Sequence, residues 1–132
     1  MIFQDLTPPS RDPALPRWAY VRPDPNVAIG SLTTIPIELR AAADVQLSLN
    51  VDGLSAVSPS AAIRVEVLNP ATGQPVRGFS ASDCPPITTN GLDVPVKWAK
   101  GDRLSAAGLR AVQLRFQLEG ASVRLYAFAF RP

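Results

Sequence analysis

Few residues in this chain could do chemistry. Asp83 and Cys84 stand side by side in the stretch Gly78-Phe79-Ser80-Ala81-Ser82-Asp83-Cys84-Pro85-Pro86, and Cys84 is the single cysteine of 132 residues. A cysteine nucleophile acts as its thiolate, which near neutral pH needs a base, a cation or a helix N-terminus beside it. The chain holds no histidine. That removes the usual base and proton shuttle, and with them the commonest transition-metal ligand. One cysteine also excludes an intrachain disulfide and any multi-cysteine zinc site. The stretch therefore reads as a structured corner, with Gly78 as its turn and Phe79 as a core anchor. Asp83 accepts hydrogen bonds from loop amides there, and Cys84 is a small buried hydrophobe. No catalytic residue is assigned.

Carboxylates, amides and aromatic rings allow other chemistries. Glu66 with Glu119 or Asp52 would be a carboxylate pair for glycoside cleavage, but carboxylates on wet strands are ordinary, so no enzyme is expected. Asp83, Asn90 and Asp93 supply oxygen atoms close together in loops and are candidate calcium ligands, although no calcium-loop consensus surrounds them and no cofactor is expected. Glycan binding draws on aromatic faces and on rows of hydrogen-bonding side chains. Trp18 and Tyr20, in a proline-rich segment, are the leading aromatic candidates. Trp98 is a weaker one, since it ends a strand and reads first as a core residue. The polar candidates are Arg64, Glu66, Gln113, Arg115 and Gln117, which with Gln46, Ser48 and Asn50 would line one concave sheet.

Strands must position these groups. Residues 1–26 hold six of the 14 prolines, so they form an extended N-terminal segment or linker, with a short strand at Trp18-Ala19-Tyr20-Val21. Residues 27–132 form the main domain. Apolar and polar residues alternate through Val45 to Val51, Ile63 to Val67 and Val112 to Leu118, the mark of strands with one buried and one wet face. Turn chemistry separates them: Asp52-Gly53, Asn69 to Pro75, Asn90-Gly91, Lys100 to Asp102 and Glu119-Gly120. No useful amphipathic helix appears; Asp102 to Ala111 allows one short turn. The spacing predicts an all-β, antiparallel β-sandwich of about eight strands with jelly-roll topology. Leu125 to Phe130 is apolar on both faces, so it is placed centrally, with Tyr126, Phe128 and Phe130 in the core.

Bulk properties narrow the partners. Net charge is +2, with basic residues dispersed and no run of them interleaved with aromatics, so neither nucleic acid nor membrane is expected as a partner. Met1-Ile2-Phe3-Gln4-Asp5 lacks the pattern of a signal peptide, and localisation stays open.

Several segments, in order, carry a likeness. They are "GSLTTIPIEL" at Gly30 to Leu39, "LSLNVD" at Leu47 to Asp52 and "IRVEVLNPATGQPVRGFSASDCPPI" at Ile63 to Ile87. "VPVKW" at Val94 to Trp98, "RLSAAGLRAVQLRFQLEGA" at Arg103 to Ala121 and "LYAFAF" at Leu125 to Phe130 continue the set. From about Trp18 onward the chain resembles the β-sandwich module at the C-terminal end of bacterial β-propeller glycoside hydrolases, those of family 32 (levanase- and inulinase-like) and their relatives. The resemblance implies a non-catalytic accessory or carbohydrate-binding module with a polysaccharide or oligosaccharide as ligand and a secreted or periplasmic parent. The alternative is a structural or interaction domain that packs on a neighbouring catalytic domain or a second copy and binds no glycan.

Overall fold

Alternation along the chain decides which strands form and which way they face. In the computed structural model, which describes residues 2–5, 19–23, 29–39, 44–57 and 60–132, Val112, Leu114, Phe116 and Leu118 are fully buried. The residues between them are only half-buried. Leu47, Leu49 and Val51 repeat that period, as do Ile63, Val65 and Val67. A period of two buries one face of a sheet, so a second sheet must cover it.

The first sheet has the order β1 (Ile2–Asp5), β2 (Ala19–Arg22), β10 (Arg124–Arg131), β5 (Gln46–Asp52) and β8 (Gly91–Pro95). The second runs β3 (Ile29–Thr33), β9 (Ala111–Glu119), β6 (Ala62–Asn69) and β7 (Gln74–Pro75), with β4 (Ile37–Glu38) also paired to β9. Every pairing is antiparallel. The pairs are nested: β6 with β7, β5 with β8, β3 and β4 with β9, β2 with β10. The chain is thus one long hairpin bent back on itself, its arms shared between two sheets. This is a jelly roll. The tip of the hairpin is the Asn69 turn, where Asn69 Oδ1 accepts from Ala71 N at 2.9 Å. Gly73 there takes a φ of 71°, a conformation that favours glycine. The proline-rich segment is joined to the sandwich, because Val21 of β2 pairs with Leu125.

The core lies between the sheets. Phe116 of the second sheet meets Phe128 of the first with ring centroids 5.4 Å apart. Trp98 and Phe79 close one side at 5.3 Å, and the indole N–H donates to Val65 O at 2.7 Å. Trp98 is only 5% exposed. As a glycan platform it is therefore corrected: the indole is a core side chain whose polar tip is spent on β6, and it presents no face to solvent.

The last strand is central, between β2 and β5, but its faces are not those predicted. The register shifts between Leu125 and Ala127, so Tyr126 is an extra residue and parity flips across it. Leu125, Phe128 and Phe130 face the core, while Tyr126 leaves it for the outer surface.

Candidate functional site

With Leu47, Leu49 and Val51 turned inward, β5 presents Ser48, Asn50 and Asp52 on the outer face of the first sheet. Both neighbours of β5 are irregular at the level of Asn50. On β10, Leu125 pairs with Val51 and Ala127 with Asn50, so that the register shifts across Tyr126. On β8, Val94 pairs with Leu49 and Gly91 with Val51, so Leu92 and Asp93 together oppose Asn50. A bulge bends its strand and re-aims the extra side chain. Two bulges flanking one residue open a recess of about 390 Å³, lined by Asn50, Asp52, Asn90, Leu92 and Tyr126. A second recess of about 210 Å³ continues down the same face past Ser48, Ala127, Ala129 and Arg131, and shares Asn50 and Leu92 with the first.

Neighbouring contacts hold this surface. Tyr20, buried on the same sheet, braces Tyr126 edge-on at 5.5 Å, and the Arg124 guanidinium lies 5.5 Å over the Tyr20 ring. Asn90 is committed to the fold, accepting from Leu54 N at 2.8 Å. Arg131 Nε donates to Asp93 Oδ1 at 3.2 Å. A hydrogen bond from the Ser48 side chain, with help from Arg131, holds the Asp93 carboxyl below its ordinary range. Asn50 and Asp52 therefore supply the amide and carboxylate of the first recess. The arrangement offers an aromatic ring, an exposed aliphatic side chain and hydrogen-bonding groups of both kinds within one depression.

The predicted polar row divides. Gln46, Ser48 and Asn50 belong to the first sheet, whereas Arg64, Glu66, Gln113, Arg115 and Gln117 belong to the second, on the opposite outer face. Consecutive arms of a jelly roll alternate between sheets, so β5 and β6 cannot share a surface. On the second sheet Glu66, Arg115 and Gln113 are engaged within the protein, whereas the buried Arg64 Nε has no hydrogen-bond partner among the described residues. Arg115 Nη1 donates to Glu66 Oε1 at 2.8 Å, and Ala81 N donates to Glu66 Oε2 at 3.1 Å. Gln113 Nε2 donates to Thr34 O at 3.0 Å. Arg64 pairs across the ladder with Gln117. Glu66 and Asp52 lie on opposite faces of the sandwich and form no carboxylate pair. Tyr20 supports the first recess from behind, and Trp18 lies outside the described residues.

The opening stretch is a corner over β6. Its 3-10 turn, Ala81–Asp83, covers Glu66. The Asp83 carboxylate accepts from Ser80 Oγ at 2.7 Å and from Ser80 N at 3.1 Å, and these bonds hold its pKa below the usual value. Cys84 is 2% exposed, and burial pushes its thiol pKa upward. Asp83 is thus tied into this corner while Asn90 and Asp93 lie on the first sheet. The three candidate calcium ligands are each held by protein partners. Among the described residues no group of three or more His, Cys, Asp or Glu side chains could hold a metal.

Sequence reasoning missed Leu92 and Tyr126 as surface residues, because neither bulge has a residue signature. The one available signal was that Leu125 to Phe130 is apolar on both faces, so a strand placed centrally would still turn one apolar row outward. Comparison with known proteins finds no matching family model, no matching curated protein and no matching solved structure.

Proposed function

We propose that this chain is a non-catalytic carbohydrate-binding module that holds a glycan in the twice-bulged recess of the first sheet. One observation carries the reading. Tyr126, braced by Tyr20, and Leu92 are turned out beside the Asn50 amide and the Asp52 carboxylate in one recess. A sugar ring has an apolar C–H face and a rim of hydroxyls, and this combination of apolar and polar groups complements both. The sequence resemblance to the accessory modules of glycoside hydrolases supports the same assignment and suggests a catalytic domain as covalent neighbour.

The test is retardation of the purified chain in gels containing single polysaccharides. Retardation by one or more polymers, lost in Tyr126→Ala with folding intact, supports the reading. Unchanged mobility on every polymer overturns it. An oligomer whose mass rises with concentration would then favour an interaction domain, for which the exposed Ile35 (80%) and Val57 (73%) supply apolar surface.

A further inference from the structure

The described surface holds a third recess, of about 610 Å³, and its position extends the proposed site. It runs along the free edge of β8, between that strand and the segment from Pro85 to Thr89. Leu92 lines this recess and both recesses on the outer face of the sheet, and Asn90 and Gly91 line it together with the first. Leu92 is 80% exposed. The three depressions therefore form one path that starts beside Arg131, passes Tyr126 and turns around the edge of the sheet over Leu92.

Charge along the path is nearly silent. Arg131 and Asp93 neutralise each other at 3.2 Å. Asp52 lies at the Tyr126 recess and Lys97 at the far end of the edge recess. The other hydrogen-bonding side chains open to a ligand along the path are neutral: Asn50, Thr88 and Thr89. Pro85, Pro86 and Pro95 give the edge recess rigid apolar walls. An acidic polymer would find one uncommitted cation here and meet Asp52 at the aromatic end. A neutral polymer of linked rings finds alternating apolar walls and hydrogen-bonding groups along its length.

We propose that the site binds the interior of a neutral polysaccharide chain through several consecutive subsites, with Leu92 as the apolar ridge over which the chain bends. This rests on the carbohydrate-binding reading above and goes further by fixing ligand length and charge. Affinity is then set by how many sugar units reach past Leu92, not by recognition of one chain end.

Calorimetric titration with neutral gluco-, manno-, xylo- and fructo-oligosaccharides, each from disaccharide to hexasaccharide, tests this, with oligogalacturonates alongside. Affinity for the responding series should rise by about tenfold or more from the shortest to the longest member. The pair Thr88→Ala, Thr89→Ala, outside the Tyr126 recess, should flatten that rise and leave disaccharide binding there in place, whereas Leu92→Ala, whose side chain lines both recesses, should weaken every length. Leu92 is a surface residue, so its variant keeps the fold, which a melting curve verifies. Affinity that stays flat from disaccharide to hexasaccharide, or tighter binding of oligogalacturonates than of any neutral series, overturns this inference while the carbohydrate-binding reading survives. A chain that binds no saccharide of any length overturns both.

Discussion

The two outer faces of the sandwich are built from the same kind of strand and end up opposite in character. On the second sheet β6, β9 and β3 keep register without a break, Ala62 to Leu68 opposing Glu119 to Gln113 and Ile29 to Thr33 opposing Glu119 to Arg115. Polar side chains of a regular ladder stand in cross-strand rows. There Glu66, Arg115 and Thr33 find one another, and the face is closed. On the first sheet, register breaks on both sides of β5. The side chains around the breaks are drawn apart and enclose a space that Asn50 and Asp52 also line. Regular pairing here brings Glu66 and Arg115 together, whereas irregular pairing leaves Asn50 and Asp52 beside an open recess.

Removing the internal partner on the closed face should have the largest effect. Arg115→Met leaves the buried Glu66 carboxylate without its counter-charge and should cost about 3 kcal/mol in urea unfolding. The double variant with Glu66→Gln should recover part of that loss, because the uncompensated charge is gone. Glycan retardation should be unchanged in both, since the pair lies on the far face. Loss of binding in either would mean that the closed face is the binding face.

On the open face, Tyr126→Ala should lower glycan affinity by about tenfold. The lost contact with Tyr20 should lower stability by about 1 kcal/mol. Asn50→Ala is smaller again. Affinity should fall by a few fold, with stability within about 0.5 kcal/mol of the parent, because its amide supports nothing in the fold. A stability loss larger than a binding loss in either variant would make the recess structural.

The smallest effect separates the faces by acid. Asp83 and Asp93 both have carboxyls held below the ordinary aspartate range, Asp83 at the corner over the second sheet and Asp93 on the first. A depressed folded pKa gives stability that is present above the unfolded value and is lost as pH falls through the folded one. Melting temperature should therefore drop through that acidic window. Asp83→Asn and Asp93→Asn should each shallow the drop slightly and additively, the two sites sharing no partner. A parent melting temperature that stays level through the window would remove the role assigned to both carboxylates.

Much of the fold was legible from period and punctuation. The strands at Val45 to Val51, Ile63 to Val67 and Val112 to Leu118 declare their inner faces by alternation, and the turns at Asn69 to Pro75 and Glu119-Gly120 fall where Asn, Pro and Gly place them. The corner from Gly78 to Cys84 was also legible, because chemistry without histidine left Cys84 only burial. The recessed face of the first sheet was not. Alternation says which residues of one strand share a side, and it does not say which strands share a sheet, so β5 and β6 were merged into a single surface. It also presumes unbroken register, so Tyr126 was assigned inward with Phe128. Both errors arise from pairing partners distant in sequence, which a local pattern cannot contain.

The nested hairpin also sets the order in which the molecule can assemble. Among the nested pairs of the described residues, only β6 and β7 are joined by a tight turn, and from β6–β7 outward each pair encloses the ones before it, ending with Val21 against Leu125. Closing a loop costs more entropy as it lengthens, but the increment shrinks if inner pairs have already formed. Folding should therefore close like a zip from the Asn69 turn outward, and slowly, since most pairings are remote in sequence. A destabilised tip, as in Gly73→Pro, should retard refolding, whereas Val21→Ala at the outer end should chiefly hasten unfolding. The Tyr126 bulge lies near that outer end, so the surface proposed to meet a ligand is among the last parts of the chain to take shape.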